Sequence, residues 1–181
     1  MTQMRPVRAE DKEMLLRWRN MPEVGRYMFN DHQISPEEHD RWFQSITKSD
    51  PQVHWIIVCD SEDVGLANLY DIDRKNSRCY WSFYIASHLR GKGIGSFAEY
   101  FVLNYVFEEL GLNKLCGEVL AFNQSVLNMH KGFGFVQEGR LRQQVFKGGK
   151  PEDVVCVGML REEWKARKPE IEQRLKQKGV I

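Results

Sequence analysis

The sequence predicts an α+β protein of a single domain, in which helices flank a mixed, mostly antiparallel central sheet. The chain has 181 residues, a length that suits one domain with its own hydrophobic core. Three consecutive strand-like segments lie between residues 53 and 86, and strand-like and helix-like segments alternate after them. Antiparallel strands followed by such alternation are typical of a sheet with helices on its faces.

The N-terminal part predicts one short strand and two helices. The segment RPVRAEDKEMLLRWRN begins with strand-like residues and then spaces its apolar residues as on a helix, which we expect to end near Asn20. In ISPEEHDRWFQSI, a capping box is indicated by Ser35 as N-cap, Pro36 at the first helical position and Glu38 three residues on. The intervening MPEVGRYMFNDHQ has no clear period, so we expect a loop, a kind of segment that often holds substrate.

The middle and C-terminal parts predict the remaining elements. VHWIIVCD, GLANLYDID and RCYWSFYIA indicate an antiparallel meander, and SFAEYFVLNYVFEEL indicates a buried helix that Gly111 can end. A strand (NKLCGEVLA), a short helix (NQSVLNMHK) and two strands around a KGGK turn follow, with Lys147 and Lys150 predicted to be solvated. The charged tail, residues 166–181, contains Pro169 and is predicted to be a solvated helix outside a domain of residues 1–165.

Composition narrows the classes of partner. Lys and Arg number 26 against 25 Asp and Glu, a net charge of +1, so no overall field favours nucleic acid or an anionic membrane. No apolar run approaches the ~20 residues that span a bilayer, and the N-terminus is too polar for a signal peptide, so we expect a cytoplasmic protein. The cysteines lack the paired spacing of a zinc site and are predicted to be buried free thiols: Cys59, Cys79, Cys116 and Cys156.

A glycine-rich basic loop, RGKGIGS, lies between a strand-like and a helix-like segment. Such loops bind anions because backbone N–H groups approach a phosphate closely where no Cβ intervenes. The spacing fits neither a Walker A loop nor a dinucleotide-binding fingerprint. The alternatives are an ordinary glycine turn and a phosphate-binding loop made by Arg90, Gly91, Lys92, Gly93, Ile94, Gly95 and Ser96.

This loop after a strand, with Asn123 and Gly134-Phe135 following the next strand, resembles the GCN5-related N-acetyltransferases, the GNAT family, over roughly residues 5 to 160. The resemblance implies the GNAT fold and an enzyme that uses acetyl-CoA as acetyl donor and needs no metal. It implies that the loop binds the pyrophosphate of acetyl-CoA at a helix N-terminus. It also implies that the strand carrying WSFYIA is splayed from its neighbour, and that the coenzyme's arm contacts Phe83, Tyr84, Ile85 and Asn123.

The first third, with HKGFGFVQEGRLR and VFKGGKPEDVV, is similar to the N-acetyltransferases of pseudaminic acid biosynthesis, the PseH type. This resemblance implies acetylation of the 4-amino group of a UDP-linked 4-amino-4,6-dideoxy sugar, on the way to flagellin glycosylation. Other functions stay open: acetylation of a ribosomal-protein N-terminus or a small amine, and a non-catalytic acyl-CoA-binding module. A monomer and a homodimer are both compatible with the sequence. The candidate acceptor-binding residues are Arg19, Asn20, Arg26, Phe29, His39 and Trp42. The alternatives are surface ion pairs for the two arginines and positions in the core for His39 and the aromatic residues.

Two residues are candidates for the proton transfers that amine acetylation requires. Glu118 shares a strand face with Cys116 and Leu120, an apolar setting that suits a general base. His130 lies four residues before Gly134-Phe135, where many members of the resembling family carry a tyrosine that protonates the coenzyme sulfur. The alternatives are a Glu118 paired with a cation and a His130 bonded to a carbonyl.

Overall fold

Seven strands form one sheet in the computed structural model, which describes residues 1–48, 53–86 and 92–181. The sheet order is β1-β2-β3-β4-β5-β7-β6, and only β4 and β5 run parallel. This mostly antiparallel sheet confirms the predicted fold class. The strands are β1 (Thr2–Pro6), β2 (His54–Cys59), β3 (Glu62–Asp73), β4 (Arg78–Ile85), β5 (Lys114–Leu120), β6 (Val136–Lys147) and β7 (Lys150–Leu160).

In the part of the chain that the structure describes, six α-helices pack around the sheet. They are α1 (Lys12–Arg19), α2 (Pro22–Gly25), α3 (Pro36–Lys48), α4 (Ile94–Asn104), α5 (Gln124–Phe133) and α6 (Arg161–Gln177). The four-residue α2 lies in the segment that was expected to be a loop throughout. Ser35 caps α3 as predicted, because its Oγ accepts a hydrogen bond from the Glu38 N–H at 3.2 Å. The Glu38 carboxylate is bonded to His32 Nε2, at 2.9 Å.

Alternation along the strands gives the sheet two buried faces. One face, here the α4 face, packs Trp81, Ala98 and Trp164 into a core built from the sheet with α4, the end of α5 and α6. The other, here the α1 face, packs Leu15 and Tyr84 into a second core with α1 and α3. Three of the four cysteines are buried, and Cys156 is half-buried; all are free thiols.

The charged C-terminal segment is a helix, but the prediction that it is solvated is wrong. Trp164, Ile171 and Leu175 of α6 are each at most 2% exposed and belong to the core of the α4 face. The helix continues through Pro169, although proline in a helix interior costs about 3 kcal/mol. Burial of the three apolar side chains offsets that cost. No helix of the described residues is long and apolar enough to cross a membrane.

The sheet opens between β4 and β5. Their pairing ends at Tyr80 and Cys116, whereas β4 stays paired with β3 as far as Ile85. We call the opening beside residues 81–85 the β4–β5 gap; it corresponds to the strand separation that the family resemblance implied. Gly65 keeps β3 against this part of β4, since a Cβ there would lie 2.2 Å from the Tyr84 carbonyl oxygen.

Candidate active site

The N-terminus of α4 lies beside the β4–β5 gap. Gly93 is the N-cap, with φ of +78°, a conformation that L side chains rarely adopt. Ile94, Gly95 and Ser96 form the first turn, whose N–H groups have no partner within a helix. A Cβ on Gly95 would lie 3.4 Å from the ring of Phe83, so the turn touches the part of β4 that lies beyond its pairing with β5.

These groups suit the coenzyme that the sequence indicated. The backbone of Phe83 and Tyr84 has no ladder pairing with β5, Ile85 is paired with Gly65 of β3, and the first turn of α4 offers N–H donors to an anion. Asn123 is the N-cap of α5 and makes no side-chain capping bond there. Lys92 is exposed. The predicted Arg90 and Gly91 lie outside the described residues.

Glu118 lies on β5 next to the gap and faces the α1 side of the sheet. It lines a groove of about 710 Å³ with Tyr70 and Tyr80. The groove also holds Asp71, Asp73, Arg74 and Arg78, so the apolar setting predicted for Glu118 is wrong. Burial, together with the nearby charge of Glu118, raises the pKa of Tyr70. The structure thus surrounds Glu118 with polar groups of both signs.

His130 lies on the opposite, α4 face of the sheet. It is 3% exposed, and its ring packs on Trp81 at 5.5 Å and on Phe135 at 5.0 Å between ring centroids. A hydrogen bond of 2.7 Å joins its Nδ1 to Oε1 of Glu99, which is fully buried in α4. The partner of His130 is therefore a carboxyl group, which the sequence did not indicate.

Three of the predicted acceptor residues lie together in a cavity of about 840 Å³, here the acceptor cavity: Arg19, Asn20 and Arg26. Arg19 donates to Asn30 Oδ1 at 3.0 Å, and burial lowers the pKa of its guanidinium. Asn20 is bonded twice to the backbone of Ile34, at 2.8 and 2.9 Å, and so holds the cavity wall. The Arg26 guanidinium lies over the Tyr27 ring, 4.9 Å from its centroid.

The other predicted acceptor residues do not line this cavity. His39 is 2% exposed, and its Nε2–H donates to the Lys12 carbonyl oxygen at 2.7 Å, which ties α3 to α1. Trp42 packs against His39 and His54. Phe29 is 40% exposed outside the cavity lining. A helix-to-helix contact explains the position of His39 on the apolar face of α3.

Two side chains reach the cavity from distant parts of the chain and were not among the predicted acceptor residues. Phe122, just after β5, lies in the wall, and its ring meets Tyr27 at 6.1 Å. Lys147 was predicted to be solvated, which is wrong: its side chain is 11% exposed and forms an ion pair of 2.5 Å with Asp31. Its Nζ also donates to the carbonyl oxygens of Gly25 and Asn30. Because Lys147 is 117 residues from Asn30 in the chain, local sequence gave no signal for this contact.

Comparison with known proteins finds acetyltransferases. The family model described as an acetyltransferase (GNAT) domain matches residues 2–136. The SPbeta prophage-derived uncharacterized N-acetyltransferase YokL of Bacillus subtilis (strain 168) is 32% identical over 68% of this chain and 70% of YokL. Acetyltransferase PseH of Campylobacter jejuni subsp. jejuni serotype O:23/36 (strain 81-176) is 24% identical over 68% of this chain and 75% of PseH. The crystal structure of spermidine N-acetyltransferase from Vibrio cholerae in complex with CoA and spermine has a TM-score of 0.83 at 21% identity, covering 91% of this chain and 98% of that one.

Proposed function

We propose, from the premise that this chain belongs to the GNAT family of acetyltransferases, that its acceptor is the amine of a nucleotide-linked amino sugar. As a family member the chain is an N-acetyltransferase with acetyl-CoA as co-substrate. The proposed acceptor group is the 4-amino group of a UDP-linked 4-amino-4,6-dideoxy sugar in pseudaminic acid biosynthesis. The similarity to PseH supports this choice.

The charge of Arg19 is the observation that carries the proposal. Among the described residues no carboxylate lies within salt-bridge distance of this half-buried guanidinium, whose hydrogen bond goes to the Asn30 amide. The hydroxyl of Tyr84, which interacts with the Arg19 charge, is buried without a hydrogen-bond partner in the described part of the chain. A partly desolvated charge is costly when no counterion lies within salt-bridge distance, and the more distant charge of Glu38 offsets only part of the cost. A diphosphate would supply the missing negative charge and accept from both groups.

Two regions of the site, one that favours anions and one that favours cations, suit the two ends of such an acceptor. The acceptor cavity presents Arg19 and Arg26, and its Asp31 is already paired with Lys147. The groove beside the gap presents Glu118, which can attract the ammonium end of the acceptor and then take its proton. A polyamine carries cationic charge along its length and would gain nothing from the arginines. This difference favours a nucleotide sugar over spermidine.

The proposed reaction places the donor in the gap and the acceptor on the α1 face. The first turn of α4 would bind the pyrophosphate, and the backbone edge of Phe83 and Tyr84 that faces the gap would bind the arm and polarise the acetyl carbonyl. Glu118 would accept the amine proton directly or through water. His130, on the other side of the gap, would protonate the departing thiolate.

An acceptor panel tests the proposed substrate. The protein and acetyl-CoA are incubated with UDP-4-amino sugars, the same amino sugars without the nucleotide, spermidine and ribosomal-protein peptides, and thiol release is measured. We expect the highest kcat/KM for a UDP-4-amino sugar. A higher value for spermidine or a peptide than for every nucleotide sugar would contradict the proposal, and binding of acetyl-CoA without thiol release would indicate a non-catalytic module.

Arginine variants test whether the acceptor cavity binds the nucleotide part of the acceptor. Arg19→Ala should raise KM for the UDP-sugar roughly 30-fold or more, because truncating one partner of a desolvated charge pair costs about 2 kcal/mol or more, and it should change KM for the bare amino sugar much less. Arg17→Ala is the matched control, since Arg17 is exposed on the same helix. Equal losses on both acceptors would remove Arg19 from the nucleotide site.

A further inference from the structure

The pair formed by Glu99 and His130 is chemically unusual for a protein core. Both side chains are at most 3% exposed, and a 2.7 Å hydrogen bond joins Oε1 of Glu99 to Nδ1 of His130. The second carboxyl oxygen, Oε2, is buried without a partner among the described residues. Burying ionisable groups costs several kcal/mol, and apolar residues of similar volume are often as stable or more so. Packing alone therefore does not account for Glu99.

The pair lies where the sheet opens. His130 packs on Trp81, the first residue of β4 beyond its pairing with β5. The Trp81 indole lies over Gly117 of β5, whose Cβ, if present, would be 3.6 Å from its Nε1. His130 is thus at the edge of the β4–β5 gap on the α4 face, while Glu118 is on the α1 face. In the reaction proposed above, the breaking thioester lies between them.

We infer that Glu99 and His130 act as one proton-donating unit, in which Glu99 is the positioning residue that supplies His130 with the proton for the departing sulfur. This inference rests on the proposed acetyl transfer but not on the identity of the acceptor. With Nδ1 engaged by Glu99, Nε2 is the ring nitrogen left to donate. The bond to Glu99 holds a second proton between Oε1 and Nδ1.

The proton balance of the step is complete. The acceptor nitrogen forms a bond to the acetyl carbon, the carbon–sulfur bond breaks, and the sulfur takes the proton from His130 Nε2. The shared proton moves to Nδ1, so the pair is left as a neutral imidazole and a Glu99 carboxylate. Of the two protons that the ammonium nitrogen loses, Glu118 takes one before the attack and passes it to solvent, and it takes the other after the attack; water reloads the pair. Without Glu99, a neutral His130 would become an imidazolate on donating, which is too unfavourable at neutral pH.

The environment of Glu99 keeps this proton available. Burial raises the pKa of Glu99, and the opposing effects of the His130 and Arg174 charges are smaller. The groups packed on His130 from β4 and from the segment before β6, Trp81 and Phe135, do not titrate. Arg174 of α6 is the other charged group that acts on Glu99.

Glu99→Gln tests the inference, with the exposed Glu109→Gln as control. Thiol release is measured with the fastest acceptor of the panel and, separately, with water as the acceptor. The rate of each variant is divided by the wild-type rate with the same acceptor, so the test does not require that the proposed sugar is the natural acceptor. We expect kcat to fall about 100-fold in Glu99→Gln, within the usual range for loss of acid catalysis, with KM for acetyl-CoA changed less than twofold. His130→Phe should lose as much, and the double variant no more than His130→Phe alone.

Two further readouts separate this role from a structural one. The remaining activity of Glu99→Gln should be confined to acid pH, where the imidazole itself carries the second proton. Glu99→Gln should not destabilise the protein. Because burial raises the pKa of Glu99 in the folded state, the contribution of its neutral carboxyl to wild-type stability is fully present below pH 4.5 and is lost as pH rises through the folded-state pKa. The variant's Tm should therefore equal or exceed that of wild type, increasingly so at higher pH. Near-wild-type kcat, additive losses in the double variant, or a Tm that falls in step with activity would overturn the inference.

Discussion

Single side chains of the active site differ in how far their role follows from their type. Arg19 and Arg26 are cations next to a loop, and the structure places them in the same cavity. His39 is also a hydrogen-bond donor, but it donates to the Lys12 carbonyl oxygen between α3 and α1. A residue type states which bonds a side chain can make. Its partner is decided by what the fold brings near it.

Glu118 gives a prediction at this scale. Glu118→Gln cannot accept the amine proton, so we expect kcat to fall about 100-fold and the decline of kcat towards acid pH to become flatter. The measurement is the pH profile of kcat between pH 6 and 9 on the best acceptor. Glu62→Gln, at an exposed position of β3, should match wild type throughout. A Glu118→Gln profile that follows wild type would mean that another group, or water alone, takes the proton.

At the scale of elements, the contact between α4 and β4 is the part of the site that local sequence describes best. A glycine-rich segment between a strand and a helix predicts an anion-binding helix N-terminus, and the structure has Gly93 as N-cap of α4. The glycines also serve packing. A Cβ on Gly93 would lie 2.6 Å from Val180, and one on Gly95 would lie 3.2 Å from Met129 Sδ. Larger residues at these positions would therefore disturb the packing of the protein as well as the proposed coenzyme site.

Ser96→Asp is a cleaner test of coenzyme binding by α4. An acid in the first turn stabilises a helix by about 0.3–1 kcal/mol, whereas the same charge repels a pyrophosphate. We expect an unchanged or higher Tm together with a KM for acetyl-CoA raised roughly tenfold, which corresponds to about 1.4 kcal/mol. Ser96→Asn, of the same size without the charge, is the control. An unchanged KM in Ser96→Asp would place the pyrophosphate away from α4.

At the scale of the whole molecule, distant segments complete the site and the core. Lys147, at the end of β6, holds the loop of Asn30 and Asp31 that forms one wall of the acceptor cavity. The C-terminal helix α6 closes the α4 face, and Tyr100 of α4 donates to its Glu172 at 2.6 Å. Neither contact has a local sequence signal, because each joins elements that are far apart in the chain.

The role of α6 can be measured with a matched pair of substitutions. Ile171→Ala should lower the free energy of unfolding by about 3 kcal/mol, within the range for buried aliphatic truncations, because Ile171 is 1% exposed. Gln173→Ala, at an exposed position of the same helix, should change it by less than about 0.5 kcal/mol. Urea denaturation compares the two. Equal, small effects would show that α6 does not contribute to the core.

The sequence by itself determined the class of fold, the order of its elements apart from the short α2, and the glycine-rich segment before α4. These features depend on contacts within a few residues: alternation in strands, the Ser35 cap of α3 and the glycine at the start of α4. Their local nature is the reason that reading along the chain was sufficient. The opening of the sheet beside β4 was implied only by the family resemblance, and the parallel direction of the short β4–β5 pairing came from the structure.

The tertiary structure decided which faces are covered and which polar groups meet. The charged composition of α6 indicated solvent, but its few apolar residues lie on the side that meets the sheet. Glu99 lies in an apolar helix, and only the approach of α5 brings His130 to within 2.7 Å of it. The energy of such a contact depends on burial and on the distance between groups on separate elements, and the one-dimensional order of residues contains neither quantity.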